Sequence, residues 1–207
     1  MTAAEGPSAD PLPRVFVNCS FDASFREQLH AIVFTCVHAG FFPVRADSGG
    51  QTGRPRLERI FSALDSCRYS IHDLTFCRGE GDENLARFNM PLELGMAMAL
   101  RARPGDAPVH EYLILVPAEQ HLYKRYVSDL GGLDPQTHDG SAKRIVAEVL
   151  AWLLTAAEAP ADLSPSEVIE KLPAFETGLE ALRQEWQEGS MPWPRVVKLA
   201  ARVARSS

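Results

Sequence analysis

The chain has no long apolar run. Nothing in its 207 residues approaches the ~20 consecutive apolar positions that cross a bilayer, so no transmembrane helix is expected. It has no excess of positive charge either: 21 Lys and Arg stand against 27 Asp and Glu, a formal net charge of -6. General nucleic-acid binding rests on cationic neutralisation of phosphate and is not expected. Cysteine is scarce. The four present, Cys19, Cys36, Cys67 and Cys77, form no C-x-x-C, and they are expected as buried thiols in a reducing cytoplasm. The six histidines show no H-E-x-x-H, so the spacing supports no metal site. Also missing are G-x-G-x-x-G, G-x-x-x-x-G-K-[ST] and G-x-S-x-G, the signatures of dinucleotide folds, P-loops and nucleophile elbows. Residues 1–13 are small, acidic and Pro-bearing with no apolar centre; they are expected as a disordered lead-in rather than a secretory signal.

What the sequence does hold is an alternation of strands and helices. Arg14 to Cys19 contains a continuous apolar run, as in a strand buried on both faces. Ser24-Phe-Arg-Glu27 reads as a capping box, followed by Phe25, Leu29, Ile32, Val33 and Cys36 on one helical face, with Gly40 at the end. Phe41 to Ala46 is a second strand, and Asp47 to Gly53 a polar glycine loop. Pro55 opens a helix with Leu57, Ile60, Phe61 and Leu64 as its apolar stripe. Tyr69 to Leu74 is a third strand, and 75–89 a long polar loop. Tyr112 to Val116 is a fourth strand; a short helix at 122–130 and a short strand at 133–139 follow. Ala142 to Leu154 is an amphipathic helix. This order predicts an α/β domain over 14–156, with a parallel sheet of four to five strands and helices on both faces. Residues 157–207 are expected as a helical extension, opened by a second capping box at Ser164-Pro-Ser-Glu167; its last helix is expected to pack back on the domain with its charges solvated, the alternative being contact with a membrane surface or an acidic partner.

Residues 84–100 stand out. They read as a loop running into a helix in which Pro91 takes the first position, and every residue from Leu92 to Leu100 except Glu93 is apolar or Gly. Such a helix is expected to be buried, which leaves Glu93 as a carboxylate in the first turn of a buried helix. The free N–H groups of the helix and Arg87 are expected to keep it ionised. Two readings are open: a structural carboxylate tied down by Arg87, or an anion aimed at positive charge developing in a substrate. Ligands of parallel sheets bind outside the carboxyl ends of the strands. Asn18, Ser20, Asp22, Asp73, Arg87 and Asn89 are all placed at that edge, with Glu93 among them.

A carboxylate in that position suits glycosidic chemistry. Cleavage of an N-glycosidic bond builds positive charge on the sugar, which one buried anion stabilises. The nicotinamide of NAD leaves as a neutral molecule and needs no acid, whereas a neutral nucleobase needs protonation, for which Asp73 is the candidate.

The segments Val-Phe-Val-Asn-Cys-Ser-Phe-Asp (15–22), Cys-Arg-Tyr-Ser-Ile-His-Asp-Leu (67–74) and Arg-Phe-Asn-Met-Pro-Leu-Glu-Leu-Gly (87–95) resemble a bacterial group of TIR-like (Toll/interleukin-1 receptor-like) nucleotide-binding proteins found in anti-phage defence settings. More distantly the chain is similar to nucleoside 2-deoxyribosyltransferases. The resemblance covers 14–156. It implies a flavodoxin-like sheet, a catalytic Glu93, a contact of Asn18 and Ser20 with ribose or phosphate, NAD as substrate rather than cofactor, and self-association through the TIR-like domain. The activity it implies is cleavage of NAD to nicotinamide and linear or cyclic ADP-ribose. The alternatives are a deoxyribosyltransferase, in which Glu93 is the nucleophile, and a non-catalytic module that binds a nucleotide signal or another such chain.

Overall fold

A computed structural model describes residues 12–46, 53–77, 79–80, 85–86, 88–105, 108–118, 128–157, 159–187 and 191–206. Val15, Phe16 and Val17 are buried on both sides of β1 (Arg14–Asn18), and that continuous burial places β1 inside the sheet. Around it lie β2 (Phe42–Val44), β3 (Tyr69–Asp73), β6 (Glu111–Pro117) and β7 (Gln136–His138). The order is β2-β1-β3-β6-β7 and every pairing is parallel. Between β3 and β6 a separate antiparallel hairpin joins β4 (Gly79–Glu80) and β5 (Leu85–Ala86). With the hairpin set aside, this is the flavodoxin-like order. The chain leaves β1 for β2 on one side and returns to the other side for β3, so its direction reverses between β1 and β3, where such sheets hold ligands.

Among the described residues there are six α-helices: α1 (Arg26–His38), α2 (Arg56–Asp65), α3 (Asn89–Arg101), α4 (Ala142–Ala156), α5 (Pro165–Glu185) and α6 (Trp193–Ala204). Alternate side chains of the strands feed hydrophobic clusters on the two faces of the sheet. Val15, Val17, Ile71 and Leu115 face α1 and α4, while Phe16 and Val44 join Ile60 and Leu64 of α2 and Ala97 of α3 on the other face. The first core does not stop at α1. Val168, Phe175, Leu179, Val196 and Ala200 of the last two helices belong to the same buried cluster as Val15. Phe175 stacks on Phe34 at 5.1 Å, and the Trp193 indole N–H donates to the Pro43 carbonyl at 2.7 Å. Each such side chain contributes roughly 1.5–3 kcal/mol of burial, which is what holds the extension on the sheet layer. Gly178 permits the close approach of α5 to α6: a Cβ there would lie 2.8 Å from Leu199.

Several local expectations change. The Ser24–Glu27 capping box does not form. A 3-10 turn (Ala23–Phe25) comes first and α1 starts at Arg26 with no side-chain cap bond. Phe25 is buried edge-on against Phe76, and inserting that ring tightens the turn. Half of the second box forms: Ser164 Oγ accepts from the Glu167 N–H at 3.3 Å, while the Glu167 carboxylate turns to His38 and Lys171. In α2 only Ile60 and Leu64 are buried; Leu57 and Phe61 are exposed, because α2 covers the narrow flank of the sheet beside the three-residue β2. The 75–89 segment is not all loop, since it carries the β4–β5 hairpin. A 3-10 helix (Ser128–Gly132) occupies the end of the segment read as a helix at 122–130; residues 119–127 and the glycine-loop residues 47–52 lie outside the described residues.

Candidate functional site

Beneath the α2–α3 face of the sheet runs a line of buried polar groups. Asn18 Nδ2 lies 2.9 Å from His72 Nδ1 and 3.0 Å from the Met90 carbonyl oxygen. His72 Nε2 lies 2.8 Å from Ser70 Oγ, Ser70 Oγ 2.8 Å from His110 Nε2, and His110 Nδ1 3.0 Å from the Cys67 carbonyl oxygen. A carbonyl only accepts, so both ends of the line fix its protons. The Cys67 carbonyl requires N–H at His110 Nδ1, which leaves Nε2 to accept from Ser70. Ser70 then accepts from His72 Nε2–H, and His72 Nδ1 accepts from Asn18. The Met90 carbonyl takes the second amide hydrogen of Asn18. Both imidazoles are therefore neutral. Burial pushes His72 down to about 3, helped by His110, and burial lowers His110 as well. The line fastens the end of β1 and the middle of β3 to the first turn of α3, three residues before Glu93. Asn18 thus spends both amide hydrogens on the frame of the site.

Glu93 is buried, 6% exposed, but it does not sit where the sequence suggests. The helix starts at Asn89, so Pro91 is its third residue and Glu93 its fifth, past the first turn and its free N–H groups. Nor is α3 apolar all round in its burial: Leu92 is 53% exposed. The expectation of a carboxylate held ionised is corrected accordingly. Burial raises Glu93 to about 7, and the Arg56 guanidinium at the start of α2 offsets this only in part. Arg87, the partner expected from sequence, lies outside the described residues.

Asp73 ends β3 with almost no exposure and with both oxygens engaged. Oδ1 accepts from the Thr75 N–H at 2.9 Å and Oδ2 lies 3.0 Å from His138 Nε2. His138 Nδ1 accepts the Gly140 N–H at 3.1 Å, so the proton of the neutral ring is on Nε2 and is donated to Asp73. Asp73 is an acceptor in both contacts. The charges of both carboxylates reach the buried Cys19. Its thiol is pushed well above its usual range by burial and by the charge of Asp73, then by that of Glu93, with Arg45 opposing. Such a thiol stays protonated and is no nucleophile.

The fold therefore brings Asn18, Asp73 and Glu93 to the β1–β3 edge. Ser20 is buried beside them and its Oγ accepts from the Asp22 N–H at 3.2 Å. Asp22 is half-buried ahead of the 3-10 turn, and Asn89 is exposed at the first position of α3. His72, His138, Cys19, Arg45 and Arg56 were not anticipated. Arg56 had a legible signal, since Arg54-Pro-Arg56 follows a glycine loop directly into a helix. The histidines had none, because the partners that tie them across the fold are 40 to 65 residues away. On the α1 side of the edge a cavity of about 520 Å³ is lined by Ser24, Phe25, Gln28, Phe76 and His138. Gln28 donates to the Gly140 carbonyl at 2.9 Å, and its buried Oε1 has no partner among the described residues. Comparison with known proteins returns no match: no family model, no curated protein and no solved structure aligns with this chain.

These buried groups set a pH dependence. Burial lowers His72 to about 3 and His30 to about 4, and lowers His38 and His110 as well. The unfolded chain takes up protons near 6.5 that the native state refuses, so this contribution is present above 6.5 and is lost as pH falls. Glu93 acts in the opposite sense between its ordinary 4.5 and about 7, and burial raises Glu176 in the same direction. Four histidines outweigh two carboxyls. The urea midpoint is expected to be higher at pH 7 than at pH 5; an equal or inverted order would show that these imidazoles are solvated.

Proposed function

We propose that the protein cleaves the nicotinamide–ribose bond of NAD, with Glu93 as the anion that stabilises the ribosyl cation. The observation that carries this reading is the state of Asp73. Both of its oxygens are engaged as acceptors by Thr75 and His138, and neither contact presents Asp73 as a donor to a departing base. A neutral nucleobase requires a proton, and the nicotinamide of NAD, already a pyridinium, does not. The C1′–N bond breaks with its electron pair going to the nicotinamide nitrogen. Water adds to C1′ and releases a proton, giving ADP-ribose, nicotinamide and H⁺. In this reading Arg56, whose charge reaches Glu93, meets a phosphate of the substrate. The TIR-like sequence blocks at 15–22, 67–74 and 87–95 support the same assignment, and they extend it to self-association and to a role in defence against phage.

Nicotinamide release from NAD by the full chain, measured at low and high protein concentration from pH 5.5 to 8.5, tests this. Because Glu93 must be ionised and is held near 7, kcat/KM is expected to rise about tenfold per pH unit below about 7 and level off above it. The cationic substrate favours the ionised form, so the inflection in kcat lies lower. A rate that falls as pH rises through 7 would make Glu93 a proton donor and overturn the reading. Base exchange on deoxynucleosides without nicotinamide release would favour the transferase instead.

A further inference from the structure

A second cavity, of about 340 Å³ and without Glu93 in its described lining, lies where α1, α5 and α6 meet the segments that follow β1 and β2. Its walls include Phe21, Arg26, His30, Arg45, Arg183 and Trp193, over an apolar floor that contains Phe175 and Leu179. Among the described residues no Asp or Glu lines it. We propose that this cavity binds a phosphate-bearing ligand the size of a single nucleotide.

The three guanidiniums carry the inference. Arg45 is stacked on both rings, 3.9 Å from the Phe21 centroid and 4.8 Å from that of Trp193. Trp193 is itself fixed by its bond to the Pro43 carbonyl, so the guanidinium is pre-organised in the wall. Arg183 donates to His30 Nε2 at 3.2 Å and to Glu180 Oε2 at 3.3 Å, and Glu180 is an exposed neighbour on the same helix. Such a pair is worth little against a multiply charged anion. Arg26 is exposed at the start of α1 and makes no ion pair with any described residue. His30 adds no charge: its Nε2 accepts from Arg183, its Nδ1 faces Glu176 at 3.6 Å, and burial with the neighbouring arginines lowers it to about 4. The described carboxylates paired with these groups, Glu176 and Glu180, are not among the residues lining the cavity. Three planar cations with fork geometry around one hollow match a phosphate dianion, which Arg binds through paired hydrogen bonds. Phe21, 44% exposed at the wall, offers a ring for a base to stack on. The volume is at the lower end of the range of about 300–1,000 Å³ for small-molecule sites. A ligand here touches the chain just past β1, the chain just past β2 and the two C-terminal helices at once, so it clamps the extension to the strand ends that carry the other site.

Calorimetric titration of the full chain with AMP, inorganic pyrophosphate and adenosine, at low ionic strength, decides the matter and reads binding alone, whether or not the protein cleaves NAD. AMP is expected to bind one to one and to raise Tm, and adenosine is expected not to bind. Arg183→Gln and Arg26→Gln are each expected to weaken AMP at least tenfold, and Glu93→Gln to leave it unchanged. Arg26 is on the surface, so its variant folds even if the Arg183 variant does not. Pyrophosphate binding as tightly as AMP would support the arginine site and assign its affinity to the phosphates. No saturable binding of AMP or pyrophosphate at millimolar concentration, adenosine equal to AMP, or an Arg26→Gln affinity unchanged from wild type would each overturn the proposal.

Discussion

Glu93→Gln is expected to lower nicotinamide release by about three decades and, above pH 7, to make the protein more stable. Both effects come from the same buried charge. An anion about 4 Å from the developing cation, at an effective dielectric near 20, is worth roughly 4 kcal/mol in the transition state, or about a thousandfold in rate. Gln has the shape of Glu and no charge. In the resting protein that charge is a burden: a rise from 4.5 to about 7 in a side chain with 6% exposure corresponds to roughly 3 kcal/mol. The stabilising contribution of the protonated form is complete below 4.5 and is lost as pH rises through 7. Wild type and variant should therefore unfold alike in urea at pH 4.5 to 5 and diverge at pH 8 in favour of the variant. The rise in stability from pH 5 to pH 7 should be steeper in the variant, because the group opposing the histidines is gone. Retained nicotinamide release would remove Glu93 from the chemistry. Equal stability at pH 8 would show that its carboxylate is solvated.

The sheet was legible because its strands and helices announce themselves locally. Val15 to Val17, Ile71 and the Leu113–Val116 run are apolar where the period and flanking turns call for strands, and their order alone implies parallel pairing. The position of Glu93 at the carboxyl edge was legible for the same reason. Its protonation was not. Charge state depends on where α3 begins, and Pro91, acceptable anywhere in a first turn, does not say whether it is the first residue or the third. A shift of two positions takes Glu93 out of the helix's N-terminal field and leaves burial to set its behaviour. Asp73 was legible as a strand-end carboxyl, but its partner His138 comes from β7, 65 residues on, and only the parallel register of β3, β6 and β7 brings them together. The histidines fail every motif because they serve the fold through contacts across strands. The basic cavity was invisible for a similar reason: its arginines come from α1, the end of β2 and α5, and nothing in their spacing joins them.

Asn18→Asp is expected to cost about 3–5 kcal/mol at pH 8 and substantially less at pH 5, a pH dependence that Asn18→Ala should not share. The two side chains have nearly the same shape, so packing is untouched and only hydrogens change. Asn18 supplies two, one to the Met90 carbonyl and one to the bare Nδ1 of His72. A carboxylate supplies none and turns its oxygens toward two acceptors. One relief is open: a proton on His72 Nδ1 restores one bond, keeps Nε2–H on Ser70 and pairs the new charge. That raises His72 from its native value of about 3, so the repaired state is present at low pH and is lost as pH rises through the new value. Asn18→Ala simply leaves the Met90 oxygen and His72 Nδ1 without donors, at about 1–3 kcal/mol each and with no new charge to respond to pH. In both variants the tie from β1 to the first turn of α3 is cut, so Glu93 is no longer held in register with Asp73 and turnover should fall with stability. Urea unfolding of the two variants at pH 5 and pH 8 separates them. Parallel losses at both pH values would mean that the proton order along Asn18, His72, Ser70 and His110 is not the one the two carbonyls impose.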